Sequence, residues 1–184
     1  MMSKFITKIK PVTENEENNV VSEIFSNTKK AVGAIPNMYK NMGASPALLS
    51  TYIHGYNHLR ASTIFKPHEL EVIFLTISKE NGCDYCLTAH SFIGRKMTNV
   101  PEEVIKAINE GKTLPDEKLN ALYNFVVHYL NFKGWIDPVE VKKFTDVGFP
   151  EEAILEIILA ISVKTISNYS NHIFDTKIDE MFKN

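Results

Sequence analysis

The sequence predicts an all-α fold built as a single-domain helical bundle, and two observations support this prediction. Apolar residues recur at helical spacing from about Asn18 almost to the end of the 184-residue chain. No segment shows the sustained alternation of apolar and polar residues that is typical of a β-strand. A chain of this length with 44% hydrophobic residues suits one globular domain. We therefore predict an N-terminal arm over residues 1–17 and one helical domain over residues 18–184.

Proline, glycine and capping residues mark the ends of the predicted helices. The first helix starts near Asn18 and is broken by Gly33. Pro46 and Pro67 each stand in the first turn of a helix, where the missing backbone N–H of proline costs nothing. The pair Asn81-Gly82 ends the second of these helices because it suits a left-handed cap. Further helices are predicted from Cys83 to Arg95 or Met97, over 101–109 and 116–131, from Pro138 to Gly148, and over 150–175.

The charge balance argues against a polyanionic partner. The chain has 20 Lys and Arg against 22 Asp and Glu, and its isoelectric point is about 6.3. This balance offers no electrostatic attraction to nucleic acid or to an anionic membrane surface. The N-terminal residues lack the apolar core of a signal peptide, and apolar stretches such as 154–161 are too short to span a membrane. We expect a cytoplasmic protein that binds neither nucleic acid nor a membrane.

Both cysteines of the chain, Cys83 and Cys86, fall at one predicted helix start. A disulfide-stapled secreted domain would spread its cysteines along the chain, so this pair indicates redox chemistry. Unpaired backbone N–H groups in the first helical turn favour a thiolate, and the spacing allows a disulfide. His90 shares a helix face with Cys86 and would serve as a base or as a cation beside the thiolate. Glu69 or Glu71, on the preceding helix, would orient His90 and relay its proton.

Two alternatives use the same residues. Cys83, Cys86 and His90 are three plausible zinc ligands, which would make the chain a zinc-stabilised, non-enzymatic module. The fourth ligand would then come from a distant histidine, with His54, His58, His128 and His172 as the candidates. The other alternative is a general disulfide reductase or redox sensor, which would use the same two thiols and the same histidine.

The spacing of these residues resembles that of the alkylhydroperoxidase D and carboxymuconolactone decarboxylase superfamily. In its motif a glutamate precedes Cys-x-x-Cys-x-x-x-His by twelve positions, as Glu71 precedes Cys83, Cys86 and His90. The segments 35–38 and 168–173 resemble the peroxidase-related branch of that superfamily. The resemblance covers residues from about 20 to 180 and implies an all-helical fold of the alkylhydroperoxidase D-like type.

The resemblance also implies an activity, namely thiol-dependent reduction of hydroperoxides by an antioxidant enzyme. By this analogy Cys86 is the peroxidatic thiolate, and Cys83 then closes a disulfide with it. Glu71 and His90 pass a proton toward the leaving alkoxide. A protein or small-molecule dithiol reopens the disulfide, and no bound cofactor or metal is implied.

Tyr85 is a departure from the motif, because alkylhydroperoxidase D carries a histidine between its two cysteines. Tyr85 and His172 are our candidates for the wall of the active-site pocket. The resemblance further implies a homo-oligomer, either a trimer or a hexamer made of trimers. The predicted helix over 150–175 is compatible with this, since it has apolar residues on more than one face.

Overall fold

Helices form all the regular secondary structure of the computed structural model, which describes residues 8–14 and 17–183. Within these residues there is no strand, so the predicted all-α class is confirmed. A π-helical turn over Gly94–Thr98 follows the fifth α-helix, and a 3₁₀ turn over Glu180–Phe182 lies near the C-terminus. The α-helices are α1 (Asn19–Val32), α2 (Asn37–Met42), α3 (Pro46–Ser62), α4 (Pro67–Glu80), α5 (Asp84–Ile93), α6 (Glu102–Glu110), α7 (Glu117–Asn131), α8 (Pro138–Asp146) and α9 (Ala153–Phe174).

Side-chain caps and prolines stand at the helix starts where the sequence predicts them. The Asn18 side chain accepts hydrogen bonds from the N–H groups of Val20 and Val21 and so caps α1. Asp116 and Asp137 cap α7 and α8 in the same way. Pro46 and Pro67 are the first residues of α3 and α4, which matches their predicted positions.

The short helix α2 is not predicted by the residue pattern. Six residues are too few to show a helical period, and so short a helix needs tertiary contacts to be stable. Met38 and Met42 supply these contacts from the buried side of α2. The N–H of Val12 also donates to the carbonyl of Lys40 at 2.8 Å.

Two predicted helix ends differ from the observed ones. The helix after Cys83 was expected to reach Arg95 or Met97, but α5 ends at Ile93 and the chain continues in the π-helical turn. Asn99, with φ of 56°, then closes that turn in the left-handed conformation. The last helix starts at Ala153 because residues 151–152 form a turn instead of its first residues.

The helix α4 lies at the centre of the fold. All ten residues over 69–78 are buried, including Glu71, so α4 has no solvent-facing side along this stretch. It packs against α5, α6, α7 and α9. Because α4 leads directly into the turn before α5, its buried acidic side chain lies close to the two cysteines.

The predicted N-terminal arm is described only in part, because residues 1–7, 15 and 16 lie outside the described residues. The described part contains no helix before α1. Val12 packs against the hydrophobic core, where a Cβ on Gly43 would lie 3.2 Å from it, and Glu14 pairs with Lys29 of α1 at 2.7 Å. This segment therefore packs against α1 and the end of α2.

The helix α9 is the one described helix whose length and mean hydropathy, 22 residues and 1.3, would also fit a membrane span. Its inner face, however, carries the polar side chains Lys164, Ser167, Asn168 and Asn171, all of them buried. This face packs against α3, α4 and α5. A polar face buried against neighbouring helices identifies α9 as a core helix of the bundle.

Candidate active site

The two thiols lie at the N-terminal end of α5, where both are buried and not joined in a disulfide. Cys83 is the N-cap residue, with extended backbone, and Cys86 is in the first turn. The N–H of Cys83 donates to the carbonyl of Ser78 at 2.9 Å. Gly82 makes the turn from α4 with φ of 66°, a conformation that favours glycine. Short-range turn geometry thus fixes the position of the dithiol.

Polar side chains from α9 contact the sulfur atoms. Asn171 donates through Nδ2 to Cys86 Sγ at 3.2 Å and lies 3.8 Å from Cys83 Sγ. Ser167 Oγ lies 3.9 Å from Cys86 Sγ. Lys164 stands one turn before Ser167 on the same face of α9 and is also buried. The α9 face therefore provides hydrogen-bond donors and a cation to the site.

The two cysteines have opposite pKa shifts. Burial raises the pKa of Cys86, but the hydrogen bond from Cys83 and the charge of Lys164 outweigh burial and hold this pKa well below its ordinary value. The same hydrogen bond to Cys86 raises the pKa of Cys83, and burial raises it further. Cys86 is therefore the thiolate of the pair and Cys83 the thiol. These states suit Cys86 as the nucleophile and Cys83 as the resolving thiol.

The Lys164 side chain is a buried cation without a hydrogen-bond partner. The residue is 1% exposed, and its Nζ donates to no acceptor among residues 8–14 and 17–183. The nearest aromatic ring is that of Phe74, whose centroid lies 5.7 Å from Nζ. A buried ammonium normally pairs with an anion, so the Cys86 thiolate is the natural counter-ion of Lys164.

His90 and Glu71 form the acid–base pair that the motif predicts. His90 Nδ1 lies 2.8 Å from Glu71 Oε2, and both side chains are buried. Burial raises the pKa of Glu71, but His90 and Arg60 hold it below its ordinary value, so Glu71 is a carboxylate. Burial, together with the charge of Lys164, lowers the pKa of His90 despite Glu71. A neutral His90 that donates Nδ1–H to the carboxylate keeps Nε2 free to accept a proton.

Arg60 of α3 is the third polar group in a series with His90 and Glu71. Its guanidinium contacts Glu71 Oε1 and donates to the hydroxyl of Tyr56 at 2.8 and 3.1 Å. It also lies 5.0 and 5.2 Å from the ring centroids of Tyr56 and Phe74. Arg60 therefore neutralises Glu71 and holds it in position behind His90.

A small cavity of about 70 Å³ lies beside Cys86 and His90. Tyr85 is part of its wall, and the Tyr85 hydroxyl donates to Asp179 Oδ2 at 2.5 Å. Phe182 packs edge-on against Tyr85, with centroids 6.2 Å apart, so the C-terminal segment covers one side of the cavity. Aromatic and apolar side chains supply most of the wall: Pro36, Met38, Tyr39, Tyr52, Tyr56, Ala89 and Ile93.

The structure brings together four of the predicted site residues, namely Glu71, Cys83, Cys86 and His90. Tyr85 lies in the pocket wall, as expected. His172 does not line the pocket of its own chain, because it follows Asn171 on α9 and the helical rotation turns it to the exposed side. It stacks there on Tyr169 at a centroid distance of 6.1 Å.

The other candidate carboxylate, Glu69, has a structural role. It accepts a hydrogen bond from the N–H of Lys66 at 2.8 Å and so caps α4. Its second oxygen pairs with Lys118 at 2.8 Å. Of the two glutamates considered, Glu71 alone contacts His90.

Several residues of the site were missed by sequence reasoning. Lys164 could have been singled out from the sequence, since it is a lone charge within an apolar stretch of a predicted helix. Asn171 was noticed only as part of a family-like segment, and its contact with the thiols was not expected. The role of Arg60 could not be predicted from local sequence, because its partner Glu71 lies on another helix.

The zinc alternative finds no ligand set in the described part of the chain, where no three His, Cys, Asp or Glu side chains are arranged to hold a metal ion. The distant histidines that were its candidates lie elsewhere. His54 and His58 stack on each other with centroids 6.3 Å apart, and His128 stacks on Phe132 at 4.4 Å.

Comparison with known proteins finds similarity at the level of fold. No family model matches the sequence, and no curated protein matches it. Thirteen chains of solved structures match this chain. One is described as the alkylhydroperoxidase AhpD core of an uncharacterized peroxidase-related protein from Ralstonia eutropha JMP134, with TM-score 0.79, 16% identity, and coverage of 94% of this chain and 95% of that one. Another is an uncharacterized peroxidase-related protein from Silicibacter sp. TM1040, with TM-score 0.80, 18% identity, and coverage of 99% and 97%.

The debrominase Bmp8 is also similar to this chain. Its structure as a cysteine-to-alanine variant in complex with 2,3,4-tribromopyrrole has TM-score 0.77 and 19% identity, and the match covers 98% of this chain and 96% of that one. Identities of this size show a shared fold and leave the activity to be inferred from the site itself.

Proposed function

We propose that this chain, which has the alkylhydroperoxidase D-like fold, is a thiol-dependent peroxidase that reduces hydroperoxides with the dithiol Cys83–Cys86. The observation that carries the proposal is the buried Cys86 thiol, whose pKa is held low by Cys83 and Lys164. It adjoins a neutral histidine paired with a carboxylate. A thiolate, a base and a small cavity are what peroxide reduction by a thiol needs.

In the first step the Cys86 thiolate attacks the terminal oxygen of the hydroperoxide. The S–O bond forms, the O–O bond breaks, sulfur loses two electrons, and the leaving group departs as an alkoxide. The neutral His90 takes up a solvent proton at Nε2 and passes it to the alkoxide, which leaves as an alcohol. Glu71 stabilises the transient imidazolium through the 2.8 Å contact with Nδ1.

In the second step Cys83 condenses with the Cys86 sulfenic acid, giving a disulfide and one water molecule. Cys83 is suited to this step because both sulfur atoms lie beside Asn171 Nδ2, Cys83 Sγ at 3.8 Å and Cys86 Sγ at 3.2 Å. An external dithiol, either a small molecule or a protein, then reduces the disulfide by thiol–disulfide exchange. This cycle requires no bound cofactor.

The test is to mix fully reduced protein with one equivalent of cumene hydroperoxide and to follow free thiols and intact mass. The proposal expects loss of both thiols and a mass decrease of two hydrogen atoms, much faster than oxidation of free cysteine. Cys86→Ser should abolish the reaction, whereas Cys83→Ser should still react once and retain a sulfenic acid. Full reactivity of Cys86→Ser would refute the proposal.

A second candidate function, reductive dehalogenation of a small aromatic compound, is favoured by the wall of the cavity. Tyr39, Tyr52 and Tyr56 present aromatic surface near Cys86, and the similar protein Bmp8 is named a debrominase. In this reaction the thiolate takes bromine from carbon, and the ring carbon gains a proton. Cys83 then attacks the sulfenyl bromide, which forms the disulfide and releases bromide.

One set of parallel rate measurements separates these functions from general disulfide reduction. Reduced protein is given 2,3,4-tribromopyrrole, cumene hydroperoxide or a small aliphatic disulfide in separate single-turnover reactions, each compared with free cysteine. Peroxidase activity predicts the largest acceleration for the hydroperoxide. Bromide release faster than peroxide consumption would replace the peroxidase by the dehalogenase, and a preference for the disulfide would favour the reductase or sensor.

We also propose that the chain forms a homo-oligomer through the outer face of α9. This face exposes four apolar or aromatic residues, namely Leu155, Ile158, Tyr169 and Ile173. An apolar stripe along one helix is typical of a face that another subunit covers. Light scattering should give a multiple of the 20.9 kDa chain mass, and Leu155→Glu should lower it. A monomeric wild-type protein would refute this proposal.

A further inference from the structure

The charges around Cys86 are balanced only while it is a thiolate. Arg60 is paired with Glu71, so these two charges cancel behind His90. Lys164 has no carboxylate partner among the described residues, and its charge acts on Cys86. When Cys86 becomes a sulfenic acid or a disulfide, its negative charge is lost and the buried ammonium needs another anion.

We propose that Lys164 is a further catalytic residue, which serves as the counter-ion of the Cys86 thiolate and then stabilises the anion that leaves the substrate. This inference rests on the proposed thiol chemistry and extends it to a residue outside the cysteine motif. Lys164 lines the same cavity as Cys86 and His90, so its buried side chain lies beside the space in which the substrate would lie. The oxygen that departs therefore forms within reach of a preplaced cation.

The step is balanced without any additional reactant. Attack by the Cys86 thiolate transfers oxygen to sulfur, and the negative charge moves from sulfur to the departing oxygen. Lys164 keeps its proton and its charge throughout, because it compensates first the thiolate and then the alkoxide. The proton that finally neutralises the alkoxide comes from solvent and passes through Nε2 of the neutral His90. A fixed cation in a buried site lowers the energy of developing negative charge without reorganisation of solvent.

No other residue of the site is free for this role. Arg60 is occupied by Glu71 and Tyr56. Asn171 donates to Cys86 Sγ and carries no charge. The other titratable groups that act on Cys86 are Cys83, Tyr52, Tyr56, Tyr85 and His90, and none of these is a permanent cation.

The experiment compares two oxidants that differ in leaving group. Reaction of reduced protein with tert-butyl hydroperoxide expels an alkoxide, a poor leaving group, whereas peracetic acid expels acetate, a good one. For Lys164→Met we expect the rate with tert-butyl hydroperoxide to fall about 10²–10³-fold, and the rate with peracetic acid to fall at least about tenfold less. Both rates are measured at a pH at which Cys86 is ionised in both proteins.

Alkylation of Cys86 by iodoacetamide as a function of pH tests the counter-ion role separately. Removal of an opposite charge should raise the midpoint of the Lys164→Met profile by roughly 1–3 pH units. Lys164→Arg, which keeps the charge, should retain most of the wild-type preference between the oxidants. Lys118→Met is the matched control, since Lys118 also lies over an aromatic ring, at 4.3 Å from Phe149, but outside the cavity. It should change neither measurement.

Each outcome decides one part of the proposal. An equal loss of rate with both oxidants would indicate general damage to the site and would overturn the leaving-group role. An unchanged alkylation midpoint in folded Lys164→Met would overturn the counter-ion role. If wild-type protein reacts with neither oxidant faster than free cysteine, the peroxidase function fails, and the alkylation profile alone still decides whether Lys164 pairs with Cys86.

Discussion

Replacement of Glu71 by glutamine should destabilise the folded protein strongly at neutral pH. Glu71 is fully buried and makes an ion pair with Arg60 and a hydrogen bond with the neutral His90. Glutamine keeps the shape, and its amide oxygen can still accept from His90. Its NH₂ group then faces the Arg60 guanidinium, so two donors meet and a buried cation loses its partner.

The expected magnitude follows from these contacts. Removal of one member of a buried ion pair costs about 3–5 kcal/mol. The Arg60 side chain is 24% exposed and can recover part of this cost by hydration, so we expect a value near the lower end, about 3 kcal/mol. Urea unfolding at pH 7, followed by circular dichroism, measures this difference in the free energy of unfolding.

The sign of the pH dependence provides a second readout. The pKa of folded Glu71 lies below its ordinary value of 4.5, so the carboxylate stabilises the fold at any pH above 4.5. This contribution is lost as the pH falls through the folded pKa. The difference between wild type and Glu71→Gln should therefore be constant from pH 7 to 5 and shrink below 4.5.

Glu69→Gln is a matched control, because Glu69 lies on the same helix and is also buried. Its ion-pair partner Lys118 is 38% exposed, so we expect a loss of only about 1 kcal/mol. The reasoning would be refuted if Glu71→Gln unfolded with the same free energy as wild type, or if both glutamine variants lost the same amount.

Three further predictions concern the site. Burial places the pKa of His90 below its ordinary value of 6.5, so the unfolded state binds more protons and wild-type stability should decline as pH drops below 6.5. His90→Asn should remove this slope in urea unfolding between pH 7 and 5, and an unchanged slope would contradict the assignment. Asn171→Leu removes the donor at 3.2 Å from Cys86 Sγ, so alkylation of Cys86 at neutral pH should slow about tenfold. Equal alkylation rates would show that this hydrogen bond does not stabilise the thiolate. Phe182→Ala should open the cavity and raise the rate with cumene hydroperoxide relative to hydrogen peroxide, because Phe182 forms part of its wall. A constant ratio of these rates would mean that the C-terminal segment does not limit substrate size.

The features that the sequence alone determined depend on residues close together in the chain. Prolines marked the starts of α3, α4 and α8, since their effect is confined to one helical turn. The turn at Gly82 and the spacing of Cys83, Cys86 and His90 likewise place the dithiol and its histidine at the start of one helix. The relative positions of residues within one helix can be predicted from their spacing, without the tertiary structure.

Only the tertiary structure decided which groups from other helices complete the site. Glu71 and Glu69 are both buried acids on α4, yet only packing against α5 shows that Glu71 meets His90. Arg60 and Lys164 reach the site from α3 and α9, which no local pattern relates to α5. His172, expected in the pocket wall, faces outward on its own chain. The physical reason is that helix propensity and capping act over one turn, whereas the ion pairs and the burial that set the pKa values depend on how distant helices pack.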